Sequence, residues 1–401
     1  MIPRKKLDIG WADLAFGLSA CLFARDRAAI GKRLEHCWSP DGRALACLSV
    51  RSGFDLVLQQ LALPRGSEVL VSAITIRDMV GILEHHGLVA VPVDLESGAC
   101  AVRLEALERA VTPKTRAVLI AHLFGNRTHL DGVVEFARRQ RLFLFEDCAQ
   151  AFTADGYRGH PASDVAMFSF GTIKTATAGG GALLRLKTEA LRNAVADMQN
   201  VYPLQSHVAF AKRLLRIAAL KILGARLPYS LFVFLCRALG RNHDLVISGA
   251  IRGFPGGELM RKLRHQPSSA LLALLERRLR GATPAVLAPR IDAAAKTIRQ
   301  LPARLQLGTG ARLHSHWVFP VQSTRPDLLV CHLWHHGFDA TRGASSMVAV
   351  AAPAGVKDAP DAQRMIDRIV YLPVECCTTD SEIKRMTELI VQFEAAGRQS
   401  M

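Results

Sequence analysis

An apolar run, Leu142 to Phe145, ends in Glu146, Asp147, Cys148, Ala149 and Gln150, and further on the chain reads Phe168-Ser169-Phe170-Gly171-Thr172-Ile173-Lys174 ahead of glycines at 179–181. A carboxylate at the end of a buried strand can pair with a protonated ring nitrogen. A lysine in a short loop can bond covalently to an aldehyde, and a nearby serine hydroxyl can meet a phosphate. Those are the parts a fold needs to hold pyridoxal 5'-phosphate. In that chemistry Asp147 keeps the ring nitrogen protonated, while Lys174 is both tether and general base. His122 and His129 fall near the same strand ends and read as hydrogen-bonded structural histidines.

The elements that must position these residues show as a rhythm. From about 45 to 190, short apolar strands (EVLVSA, VAVPVD, AVLIAH, LFLFED, VAMFSF and GALLRL) alternate with helical patterns near 54–62, 77–86, 104–110 and 130–140. Such alternation predicts an α/β fold with a mostly parallel sheet covered by helices on both faces. Ligands of such sheets bind beyond the carboxyl ends of the strands, where Asp147, Ser169 and the loop to Lys174 would lie. The domain reading is a large domain over 1–260, with a helical insertion at about 200–265, and a smaller C-terminal α/β domain over 266–401. In the latter, a helix over about 268–281, a longer one ending near 300, the HWVFPV strand and a helix over about 380–396 are expected.

The insertion carries two apolar helical patterns split by Pro228, each shorter than the ~20 residues that span a bilayer. Lys212, Arg213, Arg216 and Lys221 stud the first. Two readings stay open. The segment packs on its own subunit or a dimer partner, or 207–240 makes peripheral contact with an anionic membrane.

With 401 residues, half of them hydrophobic, the chain can bury a large core. A formal charge of +16 attracts anions, yet no basic stretch is interleaved with aromatics, so specific nucleic-acid binding is not expected. Nine cysteines without paired metal-ligand spacing predict reduced thiols, no disulfide framework and no metal site. The basic amino-terminal stretch lacks an apolar core and cleavage site, so a cytoplasmic location is expected, at the inner face of the membrane if the insertion touches lipid.

Read in order, Ser52-Gly53-Phe54, Ser72 to Thr75, Val93 to Leu95, Ala121 to Asn126, EDCAQA, FSFGTIK and Gly179 to Gly181 resemble the DegT-type aminotransferases. This is the fold type I, pyridoxal-phosphate-dependent family that aminates keto sugars attached to nucleotides. The resemblance implies that Lys174 carries the cofactor, Asp147 pairs with its ring nitrogen and Gln150 lies near its ring hydroxyl. It implies a phosphate site built from Ser169 and the Ser52, Gly53 and Phe54 turn, with Ile76 at the position that faces the ring. It also implies a homodimer acting on a nucleotide- or carrier-linked keto sugar, with an amino-acid donor such as glutamate. Lys174 sets the chain apart from family dehydratases that carry histidine there.

Several residues depart from the pattern. Phe54 replaces a threonine, Ile76 an aromatic residue, Gly180 a glutamate, and Arg261 to Ser269 lacks the asparagine that the partner subunit usually provides. These leave two alternatives to amino transfer: an elimination or lyase reaction on the same cofactor, or a membrane-associated non-catalytic scaffold of the same fold.

Overall fold

Along every central strand the side chains alternate between two apolar clusters, as a sheet covered on both faces requires. In the computed structural model, Val69 and Val71 join one cluster while Leu70, between them, joins another. Phe145 and Leu144 divide in the same way. The structure describes residues 1–401 except 24, 252–257, 312, 344–346, 357 and 400–401.

Seven strands form the central sheet: β1 (Ala44–Cys47), β2 (Glu68–Ser72), β3 (Val89–Val93), β4 (Thr115–Ala121), β5 (Phe143–Asp147), β6 (Val165–Ser169) and β7 (Ala182–Leu186). Their order across the sheet is β1-β7-β6-β5-β4-β2-β3. From β6 to β3 neighbours run parallel, whereas β7 is antiparallel to both β6 and β1. The mostly parallel sheet of the sequence reading is thus present, with β1 added to it and β7 reversed.

Helices cover both faces. On one lie α3 (Val50–Leu61), α4 (Arg77–His85) and α7 (Glu189–Asn200). On the other lie α5 (Leu104–Ala110) and α6 (Asp131–Gln140) at one end, with α1 (Trp11–Leu22) and α2 (Arg27–Trp38) at the opposite end. Neither α1 nor α2 was expected from sequence. The insertion holds α8 (His207–Leu223), α9 (Arg226–Ala238), α10 (His243–Ile251) and α11 (Leu259–Leu263). The α8 to α9 break falls at Gly224 and Ala225, and Pro228 sits inside the first turn of α9, where a missing N–H costs no helical bond.

Helix α12 (Ser269–Arg280) packs on α1, α2 and α8, with Leu271, Leu274 and Leu275 inside the large-domain core. We therefore propose the division of the chain near Gly281 rather than at 266. Beyond it, α13 (Ala288–Gln300), α14 (Pro326–His335), α15 (Pro360–Arg368), α16 (Asp380–Gln399) and the antiparallel strands Phe319–Gln322 and Ile369–Leu372 form a second layered unit, most of it around its own apolar cluster.

Candidate active site

A cavity of about 560 Å³ opens at the carboxyl ends of β4, β5 and β6, below the start of α3. The sheet sends its chemistry there because the last residue of β5 is Asp147 and the last of β6 is Ser169.

After β6 the chain turns back on itself. Lys174 N–H donates to the Gly171 carbonyl at 2.9 Å, while Ala178 and Gly180 both donate to the Phe170 carbonyl, at 3.1 and 3.2 Å. Gly179 and Gly181 have φ of +76° and +85°, backbone that glycine adopts without strain. This stapled loop holds Lys174 half-buried on the cavity wall. Burial drives its ammonium pKa down to about 7, helped by Arg51 and Lys5 and opposed by Asp147. A sizeable share of the amine is then neutral, and nucleophilic, near neutral pH.

Asp147 is buried, and its carboxylate accepts from the Ala149 N–H at 2.9 Å. Burial pushes its pKa up, while that hydrogen bond and the Lys174 charge hold it back. Asp147 and Lys174 therefore sense each other across one cavity.

The Lys174 Nζ lies 3.7 Å from the centroid of the Trp317 ring, whose N–H donates to the Ile173 carbonyl at 2.8 Å. Lys5 donates to the Trp317 carbonyl at 2.6 Å and pairs with Glu375 at 2.7 Å. Gln150 also faces the cavity. Its side-chain oxygen accepts from the Phe124 N–H at 2.7 Å, which fixes the loop after β4. Ile76 lies in the wall beside Met347, its partner in a short antiparallel pairing.

His122 borders the cavity with both ring nitrogens engaged, one with Glu146 at 2.9 Å and the other with the Thr128 N–H at 3.2 Å. Glu146 also receives the Tyr157 hydroxyl, the His160 N–H and the Ser163 hydroxyl. Burial would raise its pKa, but these partners, His122 foremost, hold it at about 2. This is a saturated structural network, and His129 is exposed.

The structure places Lys174, Asp147, Gln150, Ser169 and Ile76 on the cavity wall. It does not bring Ser52, Gly53 and Phe54 there. Helix α3 starts at Val50 with Ser49 as its cap, earlier than the sequence suggested, so those three lie within the helix. Ser52 donates its N–H to the Ser49 hydroxyl at 3.1 Å and pairs with it through its own hydroxyl at 2.9 Å. A Cβ at Gly53 would come within 2.6 Å of Leu184, and Phe54 is fully buried edge-on to Phe145. The helix start that faces the cavity is Ser49, Val50 and Arg51.

Sequence reasoning also missed Arg51 and Trp317, and it gave Arg213 no part in the site. Arg213 turns inward, with Nη1 3.4 Å from the Gly179 carbonyl. Arg51 adjoins the Ser-Gly-Phe segment and could have been weighed with it, whereas Trp317 gives no local signal.

These residues fit pyridoxal phosphate. A helix amino terminus with Ser49 and Arg51 suits the phosphate, Asp147 the ring nitrogen, and the depressed Lys174 amine the aldehyde. In the stretch that lacks the asparagine, Gln266 is spent on the Asn200 and Tyr202 carbonyls, and Arg264 on Asp55.

Comparison with known proteins agrees with this geometry. Residues 38–208 match the model of the DegT/DnrJ/EryC1/StrS aminotransferase family. A segment of 132 residues is 32% identical to the GDP-perosamine synthase of Escherichia coli O157:H7, covering 32% of this chain and 36% of that one. Over 148 residues the identity is 31% to a putative L-glutamine:3-amino-2,3-dideoxy-scyllo-inosose aminotransferase of Streptoalloteichus tenebrarius, covering 36% and 35% of the two chains. The chain thus spans little more than a third of the length of the curated relatives it matches. Among solved structures, the aminotransferase TlmJ from Streptoalloteichus hindustanus superposes with a TM-score of 0.72, at 18% identity over 99% of both chains. PseC from Helicobacter pylori gives 0.71 at 12% identity, over 98% of this chain and 99% of its own. The sheet, the cavity and these likenesses agree: residues 38–208 match the DegT/DnrJ/EryC1/StrS aminotransferase family model, and the whole chain shares the fold of these aminotransferase structures.

Proposed function

We propose that the protein is a cytoplasmic, homodimeric, pyridoxal-phosphate-dependent aminotransferase that moves an amino group from an amino-acid donor such as glutamate to a keto sugar on a nucleotide or other carrier. The observation that carries this reading is the placement of Lys174 and Asp147 on one wall, with the lysine amine depressed to about 7. When bound, pyridoxal phosphate supplies the electron sink that stabilises charge at the donor's Cα. Asp147 holds a proton at the ring nitrogen. Lys174 would hold the cofactor and, as a free amine, would take the Cα proton on Nζ. Ser49, Arg51 and Ser169 would hold the phosphate, and Gln150 and Ile76 would contact the ring. The wall of Trp317 keeps water from the amine.

Glutamate added to the loaded protein without any keto acceptor should convert the visible band of the lysine-bound cofactor to the near-ultraviolet band of its amino form. Failure with glutamate, glutamine, aspartate and alanine alike, in protein that carries the cofactor, would overturn amino transfer and favour elimination chemistry.

A further inference from the structure

Helices α8 and α9 present two faces of opposite character. Their inner stripes pack into the protein: Phe210, Leu214 and Ile217 of α8, and Tyr229, Val233 and Cys236 of α9, are buried. Arg213, Leu220 and Tyr229 also line the candidate active site.

The outer stripes are apolar and uncovered. On α8 Val208, Leu215 and Ile222 recur along one face at 64%, 57% and 55% exposure. On α9 Leu227, Leu231, Phe234 and Leu235 do the same, at 84%, 59%, 65% and 49%. Leu239 and Leu245 are exposed as well. Among the described residues no single helix is long and apolar enough to cross a bilayer, and the two helices meet at 95°. Their dimensions suit lying on a membrane rather than spanning it.

Charge selects the occupant. From His207 to Arg241 the chain carries seven Lys or Arg and no Asp or Glu. Arg213 faces inward and Arg226 pairs with Glu382, while Lys212, Arg216, Arg237 and Arg241 are exposed beside the apolar stripes. A second copy of this chain docking by the same patch would set positive charge against positive charge, because a two-fold interface pairs a surface with itself. An anionic lipid surface opposes it with negative headgroups and also accepts the leucines and Phe234 at the acyl boundary.

We propose that the outer faces of α8 and α9 dock the protein on an anionic bilayer and so bring the wall of its active-site cavity to the lipid surface. This is independent of the aminotransferase chemistry.

The test is co-sedimentation of the full chain with vesicles of phosphatidylglycerol and phosphatidylcholine, and with vesicles of phosphatidylcholine alone. The wild type should pellet with the anionic vesicles and be released by high salt. Arg216→Glu with Arg237→Glu should weaken binding at least about tenfold, and Leu231→Glu with Phe234→Glu should abolish it. All four side chains are exposed, so both double variants should keep the wild-type thermal midpoint and the glutamate half-reaction. Wild-type protein that ignores anionic vesicles, or a Leu231→Glu, Phe234→Glu protein that binds them unchanged, would overturn the proposal. A dimer, measured by light scattering, that those two substitutions split would also overturn it by assigning the face to a second copy. Vesicle binding without the half-reaction would sink the chemistry and leave the docking surface standing.

Discussion

At the scale of the residue, the site rests on a lysine and a carboxylate whose burial opposes their charges. Lys174→Ala should abolish covalent cofactor attachment and turnover while leaving the fold intact, with borohydride trapping as the check. Asp147→Asn should retain the cofactor but lose most turnover, because an amide cannot hold the ring nitrogen protonated. The depressed lysine also has a signature in the cofactor-free protein. Its folded pKa, about 7, lies below the ordinary 10.5, so stability on its account is present above that ordinary value and is lost as pH falls towards 7. Lys174→Met should therefore raise the thermal midpoint at pH 7, and the gain should shrink towards pH 10. An equal gain at both values would mean that the amine is solvated. Asp147, Ser169 and Lys174 could be brought to one place from sequence because strand ends and a short loop follow in chain order, whereas Gln150 came from the family resemblance. Arg213 was not, because a lysine- and arginine-studded apolar helix reads alike whichever way each cation points.

At the scale of the element, where a helix starts decides which residues meet the cavity. A start at Val50 turned Ser52, Gly53 and Phe54 into packing residues and gave the exposed end to Ser49 and Arg51. Apolar runs also announce a buried strand without giving its direction, which is why the reversed β7 could not be read. Helices α1 and α2 escaped notice because their apolar faces are completed by α12, far along the chain. That distant packing is testable. Leu274 is fully buried between α1 and α8, where a Cβ at Gly17 would come within 2.9 Å of it and 2.8 Å of Leu214. Leu274→Ala should cost about 2–5 kcal/mol in denaturant unfolding. A loss well below that range would place α12 outside the large-domain core. A second crossing lies behind the site. Gly125 has φ of +98°, and a Cβ there would sit 2.5 Å from the Ser315 hydroxyl and 2.6 Å from the backbone nitrogen of Trp317. Gly125→Ala should push Trp317 away from Lys174, visible as a red-shifted tryptophan emission and slower cofactor attachment.

At the scale of the whole molecule, the cavity is where separate regions of the chain meet. Asp339, from the C-terminal region, binds Arg4 near the amino terminus at 2.6 and 2.7 Å, His243 of α10 at 3.3 Å, and the hydroxyl of Tyr229 in α9. Burial alone would raise its pKa, but His243 and Arg4 outweigh it and hold the carboxyl at about 2. Its folded pKa lies below the ordinary 3.8, so its contribution is present above pH 4 and fades as pH falls through 2. The cofactor site draws on these same regions: Asp147 and Lys174 come from the sheet, Trp317 and Glu375 from beyond Gly281, and Arg213 from the insertion. A ligand held by several regions stabilises the folded state by mass action, by about 2.7 kcal/mol at a hundredfold excess over its dissociation constant. Removing pyridoxal phosphate should therefore lower the thermal midpoint of the entire chain and loosen the Asp339 hub along with the sheet. Hydrogen exchange should then rise in α9 and around Trp317 as well as after β6. Protection lost only in the loop that carries Lys174 would show that the cofactor belongs to the large domain alone.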